Sequence, residues 1–205
     1  MLRNLRRAFG VTAMAALVYL VASSAMLTGA RAQAAPVFEI AQAGSSIKFF
    51  VKASVNVSGT FDKWDAGLTF TSDNAATGVL DIKIQADSVD TGSGLKNRKL
   101  KGSDFFDVAN NPAITFRSKK IVKLSEAQYE MDGDFTIRGV TRPEKLTFTA
   151  SGAGSGSGNI KRTMSFNRKD YGINGDIPLV KIADRVDVTV DLKVRRVSGP
   201  ALTFK

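Results

Sequence analysis

From Ser45 onward, apolar and polar side chains alternate with a period of two over most of the chain, which is the signature of strands with one dry face and one wet face. Ile47, Phe49 and Val51 alternate with Ser46, Lys48, Phe50 and Lys52, and Leu80, Ile82, Ile84 and Ala86 alternate with Asp81, Lys83 and Gln85. The period continues through Ile114 and Phe116. It runs on through Tyr129, Met131, Gly133, Phe135 and Ile137, set against Glu130, Asp132, Asp134 and Arg138, and then through Leu146, Phe148 and Ala150. The pattern closes with Val186, Val188, Val190, Leu192 and Val194, whose polar partners are Asp187, Thr189, Asp191 and Lys193. Turn-forming clusters lie between or beside the runs: Ser58-Gly59, Asp73-Asn74, Asp90 to Gly94, Asn110-Asn111-Pro112 and Asp132-Gly133. Short antiparallel connections follow from this spacing.

Two segments depart from the strand period. Gly94–Asp107 contains Leu95-Lys96-Asn97-Arg98-Lys99-Leu100, which suits a short helix or ordered loop, and it leads into Phe105-Phe106. Ser151–Gly158 reads SGAGSGSG, and the residues after it hold only two strand patterns, too few to bury a core alone, so the segment is read as a mobile hairpin loop. About eight strands of one-sided apolar character are best satisfied by closing one sheet into an all-β, eight-stranded antiparallel up-and-down barrel with its apolar faces inward. A two-sheet sandwich would carry much the same pattern.

The first 32 residues stand apart. Arg3, Arg6 and Arg7 precede an uncharged stretch from Ala8 to Ala30, and Ala30-Arg31-Ala32 is a small-x-small pattern, so residues 1–32 read as a secretory signal peptide and 33–205 as a single domain. The many Ala, Ser, Thr and Gly residues make this stretch less apolar than a retained membrane anchor needs. Arg6-Arg7-Ala8-Phe9 resembles a twin-arginine export signal, with Leu5 where Ser or Thr is usual. The expected location is the periplasm.

The whole chain of 205 residues has a formal charge of +10; residues 1–32 hold four of its 29 basic groups and no acid, which leaves +6 on the domain. A charge of that size describes solvated faces first and attraction to anionic lipid, a transient membrane contact, second. No dense Lys/Arg run is interleaved with aromatics, which argues against nucleic acid. The absence of cysteine and histidine removes disulfides, Cys/His zinc sites, thiol nucleophiles and Ser-His-Asp arrangements.

Six motifs in one order carry a family resemblance. Gly102-Ser103-Asp104-Phe105-Phe106-Asp107-Val108 is followed by Asn111-Pro112-Ala113-Ile114-Thr115-Phe116-Arg117-Ser118 and by Gly133-Asp134-Phe135-Thr136-Ile137-Arg138-Gly139-Val140-Thr141-Arg142-Pro143. Gly59-Thr60-Phe61, Ser88-Val89-Asp90-Thr91-Gly92 and Arg168-Lys169-Asp170-Tyr171-Gly172-Ile173 complete the set. From Phe38 to Val194 the chain resembles the YceI-like family of lipocalin-like bacterial envelope proteins. The resemblance implies a non-catalytic barrel whose interior holds a long apolar small molecule, a polyisoprenoid, an isoprenoid quinone or a similar lipid, with no other cofactor. Many members read Arg-Asp-x-His-Leu where this chain has Lys96-Asn97-Arg98-Lys99-Leu100, so the acid and the histidine are replaced and the head group of the ligand is left open.

The residues expected to line the apolar interior are Phe49, Val51, Phe61, Phe70, Ile82, Ile84, Phe105, Phe106, Ile114, Phe116, Met131, Phe135, Ile137 and Phe148. Ordinary core packing is the competing account of the same residues. Adjacent Phe105 and Phe106 cannot both face inward by alternation, so one is expected to plug a barrel end or line its entrance. Arg98, Lys99 and Arg168 are the candidate head-group contacts; a solvated helix face, and for Arg168 an ion pair with Asp170, are the alternatives. Asp104 and Asp107 are read as capping or turn acceptors, and no metal site is expected. An eight-stranded outer-membrane barrel is the second functional reading, but its lipid-facing girdles need Trp and Tyr, and the domain holds only Trp64, Tyr129 and Tyr171.

Overall fold

The computed structural model describes residues 35–151, 156–177 and 179–203. The signal-peptide segment lies outside the described residues, as do residues 152–155 of the Gly/Ser loop. The described residues form ten strands and one α-helix: β1 Val37–Ala53, β2 Val57–Phe61, β3 Trp64–Thr69, β4 Val79–Gln85, β5 Val89–Asp90, α1 Gly94–Lys101, β6 Ala113–Lys123, β7 Gln128–Ile137, β8 Val140–Ser151, β9 Ser157–Asn167 and β10 Ile182–Ser198. All ten strands belong to one antiparallel sheet in the order β3-β4-β6-β7-β8-β9-β10-β1-β2-β5. Ten strands replace the expected eight, because β2, β3 and β5 are too short for their alternation to be read. The helix falls where the strand period breaks.

The outermost strands β3 and β5 are not paired with each other. Chain continuity curls the sheet instead: β2 at one end of the order passes into β3 at the other through only Asp62 and Lys63. Two hydrogen bonds fasten this seam, from Asp62 N to Ser88 O at 3.2 Å and from Gln42 Nε2 to Trp64 O at 2.7 Å. β1 serves both sides of it because its register on β10 slips between Ala41 and Ser46. Gly44 supplies the φ of +81° at that bulge, and Ser45 Oγ accepts from Lys193 N at 2.8 Å to satisfy the interrupted ladder.

The alternation read from the sequence sorts the faces as expected. Ile47, Leu80, Ile82, Ile84, Ile114, Phe116, Met131, Phe135, Ile137, Phe148 and Leu192 are buried in one cluster on the concave side. The convex side carries ion pairs between strands: Arg117 with Asp81 at 2.9 Å, Lys119 with Asp134 at 2.6 Å, Lys145 with Glu130 at 3.2 Å and Lys161 with Asp191 at 3.6 Å. Such exposed pairs contribute little stability. They do set aside the outer-membrane reading, since a barrel in lipid turns an apolar band outward.

Between the long strands the wall is weakest at β8 and β9. Their ladder covers only Thr149 to Ser151 against Lys161 to Asn159, whereas β7 and β8 pair continuously from Gln128↔Thr149 to Ile137↔Val140. Past Thr149 the two strands part, and side chains alone bridge the gap.

Candidate functional site

The concave face encloses an apolar cavity of about 160 Å³, comparable to engineered apolar cavities that stay dry and take up a small apolar guest. Ile82 and Ile84 of β4, Ile114 and Phe116 of β6, Met131, Phe135 and Ile137 of β7, and Val188 and Val190 of β10 supply its walls. Thirteen of the fourteen expected lining residues are there: Phe49, Val51, Phe61, Ile82, Ile84, Phe105, Phe106, Ile114, Phe116, Met131, Phe135, Ile137 and Phe148. Phe70 is the exception. It lies just beyond β3 and packs on Phe38 with ring centroids 5.4 Å apart, and it lines a second apolar cavity of about 70 Å³. Met131, Phe148 and Ile160 border both cavities and form the partition between them.

One end of the main cavity is roofed by α1 and the turn after it. Phe106 N donates to Leu100 O at 2.9 Å and Asp107 N to Gly102 O at 2.9 Å, folding the chain back under the helix. Phe105 then points into the core beneath Lys99, whose Nζ lies 5.6 Å from its ring centre, and Phe105 O accepts from Arg138 Nη1 at 3.1 Å. Phe106 is partly buried and tilts against Phe61 at 5.8 Å. The pair therefore divides as the sequence requires, with Phe105 in the core and Phe106 at its rim. Asp107 takes φ of +50° and its carboxylate accepts from the side-chain amides of Asn110 and Asn111, a turn role.

The candidate head-group contacts fare differently. Arg98 is exposed and lines neither cavity. Lys99 borders the main cavity but pairs with Asp104 at 3.1 Å, so Asp104 is an ion-pair partner rather than a helix cap. Arg168 is 3% exposed. Its guanidinium donates to Ile173 O at 2.8 Å, Gly175 O at 3.0 Å and Ala183 O at 3.3 Å. It also lies 3.4 Å from both Asp176 and Asp184. The expected alternative, a pair with Asp170, is corrected to these two acids. Arg168 is saturated and holds the segment between β9 and β10 over the barrel end.

Asn97, where the resemblance leads one to expect an acid, ties α1 to β5. Its Oδ1 accepts from Thr91 N at 2.9 Å and its Nδ2 donates to Asp90 Oδ1 at 2.9 Å. That bond, with Gly92 N, holds the Asp90 carboxyl below the usual carboxylate range.

Sequence reasoning missed β9 as a wall. Its inward row is Ile160, Arg162, Met164 and Phe166, and the arginine interrupts the apolar alternation. Ile173 and Ile177, from the segment folded over the end, were also missed because that segment has no strand period, as was Ile182 at the start of β10.

A YceI-like domain model matches residues 38–194. The chain belongs to the YceI-like family. Its relatives include a UPF0312 protein of Pseudomonas syringae pv. tomato, 28% identical over 140 residues, which cover 66% of this chain and 72% of the relative. A UPF0312 protein of Yersinia pestis is 31% identical over 130 residues, covering 58% and 64%. Among solved structures, BcnA of Burkholderia cenocepacia superposes with a TM-score of 0.68 at 25% identity, over 76% of this chain and 99% of BcnA. A polyisoprenoid binding domain from Saccharophagus degradans shares the fold, with a TM-score of 0.64 at 15% identity over 78% and 99% of the chains. The lipocalin-like fold of the family is thus the fold of this chain.

Proposed function

We propose that this YceI-like protein is a periplasmic binding protein that shields a long apolar molecule, a polyisoprenoid, isoprenoid quinone or similar lipid, from water. The observation that carries this reading is the cavity itself: apolar side chains from eight strands face a hollow, while the opposite face of the sheet carries charged pairs. Burying one isoprene unit of roughly 100 Å² at about 25 cal/mol per Å² contributes about 2.5 kcal/mol, so a few units hold a ligand with few polar contacts. The likeness to a polyisoprenoid binding domain from Saccharophagus degradans supports the same ligand class. Residues 1–32 support export. Binding, rather than catalysis, is what an apolar hollow without an acid on its wall is suited to do.

A transient membrane contact fits the rim at the α1 end. Val55 and Leu179 are exposed there, their loops are joined by Ser54 N to Lys181 O at 3.0 Å and Lys181 N to Ser54 Oγ at 3.0 Å, and Lys52 and Lys181 lie beside them. Apolar tips among lysines suit an anionic bilayer surface.

The test is native mass spectrometry of protein purified from its own host, followed by solvent extraction. An isoprenoid adduct released by solvent is expected. A mass equal to the bare processed chain, together with no uptake of farnesol by that protein, would overturn the reading.

A further inference from the structure

We infer that Arg162 is the head-group site of the cavity and that the ligand carries an anionic oxygen head, a phosphate or a carboxylate; this rests on the apolar-ligand reading above. Arg162 lies on the inward parity of β9 between Ile160 and Met164, opposite Val190 of β10, and lines the main cavity. Its Nε is buried and has no hydrogen-bond partner. Among the described residues its guanidinium makes no hydrogen bond or ion pair, and no acid lines the cavity.

A cation held against apolar walls without a partner costs free energy that a Leu or Met at the same position would not. The other cations bordering the cavity are accounted for. Lys99 pairs with Asp104, Arg168 is saturated by carbonyls and two aspartates, and Lys96 is exposed on α1. Arg162 is left as the half-buried group with unused donors. A guanidinium presents a planar fork that matches the oxygens of carboxylate or phosphate, and such charge-assisted bonds strengthen when shielded from water.

Its place in the sheet fits this role. Arg162 is the first inward residue beyond the point where the β8–β9 ladder ends at Thr149↔Lys161. The parted strands leave a head group beside the slit, next to water, while the tail lies along the Phe and Ile walls. Charge compensation at Arg162 thus fixes which end of an amphiphile sits where, something apolar walls alone cannot do.

The experiment compares three probes with the same tail, farnesyl monophosphate, farnesoic acid and farnesol, by equilibrium titration of the lipid-stripped protein. At least one anion is expected to bind about tenfold or more tightly than farnesol, the scale of a hydrogen bond to a charged group. The phosphate and the carboxylate arms tell the two head groups apart. In Arg162→Met that preference disappears while farnesol binding is kept, and Arg162→Lys retains part of it. The denaturation midpoint of stripped Arg162→Met should hold or rise, because an unpaired cation has been removed. Equal binding of all three probes, or an anion preference that survives in Arg162→Met, overturns the head-group assignment alone. No binding of any probe overturns the carrier reading and this inference with it.

Discussion

The phenol of Tyr171 donates a 2.9 Å hydrogen bond to Oε1 of Glu144, and it does so across the gap where β8 and β9 have stopped pairing. Asn167 caps the 3-10 turn Arg168–Tyr171 through its side chain, and that turn brings the ring edge-on to Phe135 at 5.6 Å and to Phe166 at 5.2 Å. Arg142 Nε reaches Asp170 O at 2.8 Å beside it. Side chains therefore replace the missing ladder at this end.

Tyr171→Phe keeps the ring packing and removes the bridge. The loss should cost about 1–2 kcal/mol, the worth of a hydrogen bond to a carboxylate, read as a lower urea midpoint. Amide exchange in the part of β8 that β9 does not cover, from Val140 to Phe148, should quicken as well. An unchanged midpoint with unchanged exchange would mean that Arg142 and the ring contacts close the gap by themselves.

The same bridge sets a response to alkali. Burial first, and then Glu144, push the Tyr171 phenol well above its ordinary value, and burial raises Tyr129. Both folded values lie above the unfolded value of about 10, so the stability they represent is complete below that pH and is lost as pH rises through the folded values. Residues 33–205 hold no other tyrosine. Phenolate absorbance of the processed protein should stay flat past pH ~10 and then rise together with loss of the fold. A gradual rise centred on the ordinary value in folded protein would contradict this.

Two glycines in strands should answer differently to alanine. A Cβ at Gly133 of β7 would meet Phe116 Cζ at 2.5 Å and Arg117 O at 2.7 Å, whereas at Gly67 of β3 nothing lies within 4 Å. Gly133→Ala must shift backbone as well as a ring, and should cost about 1–3 kcal/mol or more. Gly67→Ala should be neutral or slightly stabilising, since it only narrows the unfolded ensemble. Equal midpoints for the two variants would show that the Phe116 ring and its strand move freely.

Phe105 and Phe106 should also separate. Phe105→Ala leaves a hole in the core and should cost about 3–5 kcal/mol. Phe106→Ala removes a half-exposed rim contact with Phe61, costs less, and should release bound farnesol faster. Should the Phe106 variant unfold as readily as the Phe105 variant while farnesol release is unchanged, Phe106 is core and not rim.

How far the sequence could be read follows from these same residues. Where a strand's inward row is purely apolar, as in Leu80-Ile82-Ile84 or Met131-Gly133-Phe135, period two located both the strand and the cavity wall. β9 was counted among the strands but not among the walls, because Arg162 occupies an inward position and interrupts the apolar row that marks a lining strand. Lys99 and Arg168 show the converse limit. Their charge was legible, but whether a cation is free or saturated depends on carbonyls and acids such as Gly175 O and Asp184, which only the fold brings near. Phe70 lies just past β3, a strand too short for its alternation to be read, and it packs on Phe38 beside the smaller cavity instead of the main one.

The partition between the two cavities yields a prediction about chain length. Met131, Phe148 and Ile160 border both hollows, and all three are buried. Tyr129 stacks on Phe148 at 5.4 Å, fixing that ring, whereas Met131 is an unbranched side chain that can change rotamer at small cost. A tail that fills the main cavity must therefore push Met131 or Ile160 aside to enter the smaller one. Ile160→Ala should join the hollows at a cost of about 2–4 kcal/mol in stability, and should raise the affinity for geranylgeraniol relative to farnesol, because the extra isoprene unit then finds buried space. Met131→Leu, similar in volume but branched and stiffer, should shift the ratio the other way with little change in midpoint. Titration of both alcohols into wild type and the two variants decides it: a ratio that is the same in all three proteins means that length is limited elsewhere, at the α1 end, and that the partition is ordinary core.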